Sequence, residues 1–446
     1  MHPDGALPAW CGPTRVALAA AVSLLLARRG LARGSLAPSG AAAAALVGFV
    51  TLAADVVLGA LLIGFYVTGS AATRHGSALK QQFDAEHRPG GGRRDASQVL
   101  ATAGLPALLA VRWLLRYGLP GGWARLDYVS DAGGTRLFVG ALAALAMVAG
   151  DTWASELGIL SSRDPVSVLR CARVPRGTNG GVSAWGTLMS LAGGASIGAM
   201  AVAVGWTQDV LEEALLTDVG AHGGGHVPYA VPQAVLVLVG AAAGGLGSLL
   251  DSLLGAALQA TYVDIDSGRI TSRLPAPPVG AESGAAAAVG SGGGGGVVLL
   301  RGAGYVLLGG ADSDNWRRRY RERLLGAPGV AAAAAAAAAD QGAPSNAHTT
   351  TGSDVAVSGR GAAREVGGSS SGLRRRGVAA APEAPCEAPP LLRLVRVCGW
   401  DVLSNEQVNL VASALTAACA VWGTRAAVAA VWGPAAAGLA GGEHGA

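Results

Sequence analysis

Asp151 and Glu156 stand where an apolar stretch of chain should run from membrane into water. The run Leu137–Gly150 stops abruptly at Asp151-Thr152-Trp153-Ala154-Ser155-Glu156. A basic loop follows, and the turn Gly177-Thr178-Asn179-Gly180-Gly181 then leads into a second apolar run. Ionisable groups at membrane depth are costly and point to function by default. Similar polar groupings recur along the chain: Lys80 with Arg93, Arg94 and Gln98; Gly247–Gly255 with Asp251 inside it and Gln259 beyond; and Asn405, Gln407 and Asn409. Asp151 and Ser155 share a helix face, and Glu156 joins them only if the helix ends or bends. Asp251 lies in a Leu- and Gly-rich run, where an unpaired carboxylate needs a cation, a proton or a donor-rich neighbour.

Together these residues have the composition of a phosphoryl-transfer site. Asp151, Glu156 and Asp251 can ligate a divalent cation such as Mg2+. Lys80 and Arg94, with Gln98, Ser155 and Asn409, can bind phosphate. Backbone N–H groups from Gly177, Thr178, Asn179, Gly180 and Gly181 can cradle the phosphates of a nucleoside triphosphate. The turn lacks the Lys-Ser/Thr of a P-loop. A structural alternative stays open: Asp151 and Asp251 can pair with arginines, the glycines can serve close packing, and Asn405 and Asn409 can cap or bridge helices.

The elements that must hold these groups are transmembrane helices. Half of the residues are hydrophobic (51%), only 14% are charged, and the charge is gathered in loops. That composition excludes a soluble domain of ordinary type, and a net charge of +4 gives no reason to expect a nucleic-acid partner. The lipid bilayer is the expected partner. Candidate spans are Arg15–Ala27, Gly40–Ala54, Val56–Ala72, Val99–Tyr117, Leu137–Trp153, Val182–Trp206, Val231–Ala257 and Val408–Trp422, an all-α polytopic bundle of about eight spans, with six to nine compatible with the pattern. Gly40 to Ala72 as one helix would run about 50 Å, so it should turn near Asp55. Arginines cluster in alternate loops (Arg28, Arg29 and Arg33; Arg74 to Arg94; Arg163 to Arg176). The loop with Asp209, Glu212, Glu213 and Asp218 has no Lys or Arg. The positive-inside rule then puts both termini outside and the polar groupings on the inner face. Nothing in the residues chooses between endomembrane, plasma membrane and plastid envelope.

Three regions follow: a bundle over 1–273, a low-complexity insert expected to be disordered over 274–396, and a last helix with a tail over 397–446. The insert carries Gly292–Gly296, Ala331–Ala339, the Arg317–Arg323 cluster and Arg374–Arg376. The cysteines (5 in all) have no CxxC spacing, so neither a disulfide framework nor a zinc site is expected. GxSxG matches at Gly194–Gly198 and Gly368–Gly372 are chance in so Gly-rich a chain, since neither follows a strand.

In this order the motifs resemble the transmembrane protein 19 family of integral membrane proteins. The resemblance rests on Asp151-Thr-Trp-Ala-Ser-Glu-Leu-Gly158, Gly177-Thr-Asn-Gly-Gly-Val-Ser183, Gly247-Ser-Leu-Leu-Asp-Ser-Leu-Leu-Gly-Ala256 and Val408-Asn409-Leu410. It covers the chain to about Arg273 and resumes near Gly399, which implies that the insert is dispensable to any shared activity. Where the family has Gln-Val-x-x-Asn, this chain has Gln98-Val99-Leu100-Ala101-Thr102. A plant and cyanobacterial branch of the family is similar to phytyl-phosphate kinase. By analogy, the resemblance implies a Mg2+- and nucleotide-dependent kinase of an isoprenoid (prenyl) phosphate. The competing expectations are a transporter or channel using its intramembrane carboxylates, and a non-catalytic membrane regulatory protein.

Overall fold

The computed structural model describes residues 11–84, 92–119, 124–217, 230–264, 267–272, 287–288, 298–299, 305–308 and 392–439. Helices α1 (Cys11–Ala32), α2 (Pro38–Ala54), α3 (Val56–Arg74), the short α4 (Ser77–Phe83), α5 (Ala96–Tyr117), α6 (Tyr128–Gly158), α7 (Ala184–Thr217), α8 (Val235–Leu258) and α9 (Asn405–Trp432) form the bundle. Each expected span falls on one of these helices. Six described helices (α3, α5 to α9) are long and apolar enough to cross a membrane. Helix α2 is apolar but shorter.

Helix α6 is the hub. Between Arg136 and Asp151 it carries no charge, and every residue from Phe138 to Gly150 is buried. A helix apolar on all sides has no solvent face and must sit at the centre. Helices α3, α5, α7, α8 and α9 pack around it, α2 lies against α3 and α5, and α1 lies outside α2. Small residues set the spacing. A Cβ built on Gly150 would lie 2.7 Å from Gly244 Cα, one on Gly244 2.7 Å from Gly194 Cα, and one on Gly193 3.0 Å from Gly150 Cα. Helices α6, α7 and α8 therefore touch backbone to backbone, which only Gly permits here.

The long Gly40–Ala72 stretch breaks at Asp55, as its length requires. Asp55 ends α2 and caps α3, accepting from the N–H of Val57 (2.7 Å) and Leu58 (3.3 Å). Its second oxygen accepts from Ala124 N, and Arg15 lies 3.7 Å away. The carboxylate is fully buried. This polar knot was not legible as more than a turn. At the same end, Arg125 pairs with Asp209 at 2.8 Å, and Gln233 exchanges two hydrogen bonds with Leu126.

The opposite end carries the strands. The hairpin β1 (Val166–Ser167) and β2 (Gly181–Val182) lies between α6 and α7. Beyond α8, β3 (Thr261–Asp264) pairs antiparallel with β4 (Ile270–Thr271) on one edge and with β8 (Leu392–Cys398) on the other. Strands β5 (Ala287–Ala288), β6 (Val298–Leu299) and β7 (Tyr305–Leu308) continue this sheet beyond β8. These segments and the start of β8 are the described strands within 274–396, the region expected from composition to be disordered. Strand β7 pairs with β8, β6 with β7 and β5 with β6, partners that low-complexity composition does not reveal. The poly-Gly and poly-Ala runs and the arginine clusters of the insert lie outside the described residues. Gly399, at φ +70°, turns the chain back over Gln259, and Trp400, Val402 and Leu403 donate their N–H groups to Ala257 and Leu258. That turn brings α9 back to the end of α8 after more than a hundred intervening residues.

Replacing Gly244 by Leu should abolish recovery of folded, monodisperse protein, because the obstacle is backbone and cannot move aside. Gly205, on α7, meets nothing within 4 Å of a built Cβ. Gly205→Leu should leave size-exclusion behaviour and melting temperature unchanged, and equal behaviour of the two variants would refute the packing account.

Candidate functional site

The C-terminal ends of α1, α3, α6 and α8 and the N-terminal ends of α2, α5, α7 and α9 meet at one face of the bundle. A cavity of about 850 Å3 opens there. Asp151, Ser155, Glu156, Arg94, Gln98, Asp251, Asn409 and all of Gly177–Gly181 line it. Residues separated by as much as 315 positions thus share one chamber at one end of the bundle. Lys80 does not line it.

The acidic side of the chamber is built by α6 and α8. Asp151 follows Gly150 directly, so the close contact of α6 with α8 fixes its position. Its Oδ1 accepts from Ser248 Oγ at 3.0 Å. One turn further along α8, Asp251 lies within electrostatic reach of Asp151. Asp251 Oδ2 is buried without a hydrogen-bond partner, as is Nε2 of Gln259, the extended residue that follows α8. Buried polar atoms normally find partners, so these two orphans lining a cavity point to a ligand.

Glu156 belongs to a different grouping. Lys80, 1% exposed, donates from Nζ to Glu156 Oε2 (2.6 Å), Ala72 O (2.8 Å) and Thr73 O (3.2 Å). All three ammonium protons have acceptors, so Lys80 binds the end of α3 to α6 rather than facing the chamber. The expected phosphate contact from Lys80 is not made available by this arrangement, and Glu156 is committed to a cation of the protein itself. Arg94 lies within electrostatic reach of Glu156. Burial lowers its pKa, and the Glu156 charge partly offsets that. Its backbone pairs with Ser35 and Ala37, and its Nη1 lies 3.5 Å from Ser70 Oγ.

The Gly177–Gly181 turn is shaped differently from a phosphate cradle. Thr178 N donates to Pro175 O, Asn179 N to Thr261 Oγ1 and Gly181 N to Thr178 O. Those N–H groups are therefore spent within the protein. Gly180, at φ +73°, packs against Ala256 and lets the turn dock on α8. Asn179 also reaches β3 through Ala260 O (3.4 Å), and its carbonyl accepts from Cys398 Sγ at 3.3 Å. The turn walls the chamber and ties it to the β3–β8 sheet. Gln98 completes the capping box of α5 with Asp95. Thr102, in the place of the family's Asn, donates its hydroxyl to Gln98 O and Val99 O, so it offers the cavity only an acceptor.

Several lining residues carry no signal in the sequence. Arg176 reads as a loop charge, yet it stacks over Phe83 at 4.9 Å, pairs with Asp164 at 3.4 Å and lines the chamber. Tyr66 and Ser190 sit mid-helix among apolar residues and face the cavity only because α3 and α7 are turned that way. Among the described residues no group of three or more His, Cys, Asp or Glu side chains is placed to hold a metal ion. The acidic pair Asp151 and Asp251 stands without Glu156.

Fold and site together define a polytopic helical integral membrane protein with a polar chamber at one end of its bundle. The family described as Integral membrane protein DUF92 matches residues 21–417, and the chain belongs to this transmembrane protein 19-like family. Protein PGR of Arabidopsis thaliana is similar at 35% identity over 247 residues, which is 55% of this chain and 79% of the plant protein. An uncharacterized membrane protein of Methanocaldococcus jannaschii is 27% identical over 196 residues, 44% of this chain and 63% of the archaeal protein, a little under two thirds of its length. No solved structure matches.

Lys80→Met should destabilise the protein by about 2 kcal/mol or more, since it leaves the Glu156 carboxylate half-buried and unpaired. Adding Glu156→Gln should recover part of the loss. Thermal melts of the two single variants and the double variant test this, and additive effects would show that the pair is not coupled.

Proposed function

We propose that the chamber is a phosphoryl-transfer site acting on the phosphate head of a membrane amphiphile, an isoprenoid monophosphate, with a nucleoside triphosphate as donor. The observation that carries this reading is the union, in one cavity, of a buried acidic pair and arginines with an apolar continuation between α1, α2, α3 and α5. A polar head and a hydrocarbon tail can both be accommodated there.

Mg2+ fits the acidic pair. It commonly binds through one or two carboxylates and completes its shell with phosphate oxygens and water. Asp151 and Asp251 supply two carboxylates, and the orphaned Oδ2 of Asp251 is an acceptor awaiting a cation or a proton. Bound there, the ion would neutralise charge on the phosphoryl oxygens. Ser248 holds Asp151 in one orientation through its 3.0 Å hydrogen bond. Arg94, with Arg93 and Arg176 also lining the cavity, attracts the phosphate, and Asn409 and Gln98 offer further hydrogen bonds. Glu156 acts here as the anchor of Lys80, not as a metal ligand.

Purified full-length protein should convert a prenyl monophosphate to its diphosphate in the presence of Mg2+ and labelled nucleotide. Asp151→Asn should lower turnover about a hundredfold or more without changing melting temperature or monodispersity. Turnover retained in Asp151→Asn would remove that residue from the site. Failure of the wild-type protein to bind nucleotide with Mg2+, together with substrate flux in vesicles, would favour a transporter. Loss of both would leave a regulatory membrane protein.

A further inference from the structure

The polar chamber does not end at Tyr66 and Arg94. Tyr66 Oη hydrogen-bonds to Ser35 Oγ at 3.1 Å, in the same loop whose backbone pairs with Arg94. Its ring and hydroxyl therefore mark a border. On one side are Arg94, Glu156 and Asp151. On the other, Val47, Leu52, Leu62 and Phe65 line an arm of the same cavity that runs along α2 and α3 away from Arg94, toward the far end of α3. The direction is fixed by the helices: α3 runs from Asp55 at the far end, past Gly59, Leu62 and Tyr66, to Thr73 beside Lys80.

The arm has a floor. Where α2 breaks into α3 at Asp55, Gly59 packs against Leu52, and a Cβ on Gly59 would lie 2.9 Å from Leu52 Cα. Below that contact sits the buried Asp55 carboxylate with Arg15.

We propose that this arm is the seat of a single hydrocarbon tail and that its floor measures the tail's length. From Tyr66 to Gly59 is about 10 Å at the α-helical rise. That depth takes an extended chain of about eight carbons, with C–C bonds of ~1.5 Å in zigzag. The occupant is a single-chain anionic amphiphile whose phosphate meets Arg94, with carbons beyond about the eighth leaving the arm. The inference rests on the proposed phosphate site but needs neither nucleotide nor turnover.

The test is binding of a series of n-alkyl monophosphates, from two to fourteen carbons, to the detergent-purified full-length protein, with free concentrations corrected for micelle partitioning. Affinity should rise about three- to fourfold per carbon up to about eight and then level off. Leu62 lies one turn, about 6 Å, below Tyr66. Leu62→Trp should move the break to about four carbons while leaving ethyl phosphate binding unchanged, which shows that the variant is folded. A rise that continues evenly through fourteen carbons, an affinity indifferent to length, or a break that stays put in Leu62→Trp would each overturn the proposal. If the break is found but no phosphoryl transfer occurs on any prenyl monophosphate, the kinase reading fails and the tail site stands. Transfer without a break has the opposite meaning.

Discussion

The backbone contact of α6, α7 and α8 at Gly150, Gly194 and Gly244 is the constraint on which the rest depends. It holds three apolar helices closer than any side chain would allow, and it lies immediately beside the residues that carry charge. Asp151 is the next residue after Gly150, and Ser248 is one turn on from Gly244. The 3.0 Å hydrogen bond between them follows from the packing rather than from any attraction between polar groups in lipid. In a bilayer there is no hydrophobic drive between helices, so close packing of small residues must provide it. Here the same small residues set the geometry of the acidic pair.

Charge is distributed in two distinct ways at this end of the bundle. Lys80 and Glu156 neutralise each other at 2.6 Å, with the remaining ammonium protons given to the carbonyls that end α3. That arrangement is complete in itself and ties α3, α4 and α6 together. Asp151 and Asp251 have only one serine hydroxyl between them in place of a cation. An acidic pair that lacks a protein cation, beside a saturated ion pair a turn away, is what distinguishes a binding site from a structural clasp. The far end of the bundle shows the clasp again: Asp55 is wholly buried, yet both its oxygens accept from backbone N–H groups and Arg15 stands beside it.

Much of this was legible in the residues. The position of each long helix, the break at Asp55 and the convergence of Asp151, Asp251, Arg94 and Asn409 all follow from hydropathy and from loop charge. Two kinds of fact were not. Which cation meets which anion depends on how helices are rotated, and Lys80 gives no sign in sequence that it turns inward to Glu156. Backbone N–H groups are likewise silent: Gly177–Gly181 has the composition of a phosphate cradle, but Pro175, Thr261 and Thr178 take the N–H groups of Thr178, Asn179 and Gly181. The strands β5 to β8 escape notice because pairing with one another, not residue propensity, defines them.

The return of α9 completes the argument. Its Asn405, Glu406 and Asn409 line the chamber although more than a hundred residues separate them from α8. Such a separation would ordinarily make closure slow and its geometry loose. The pairing of β8 with β3, the turn at Gly399 over Gln259, and the hydrogen bonds from Trp400, Val402 and Leu403 to the end of α8 remove that freedom locally. Whatever the insert does, its two ends are clamped within a few residues of the cavity wall. The chamber is therefore insulated from the length and composition of the insert, and the same clamp joins Asn179, Cys398 and Gln259 into one rim. A ligand that offers an acceptor to Gln259 Nε2 on that rim meets a wall held from both α8 and α9.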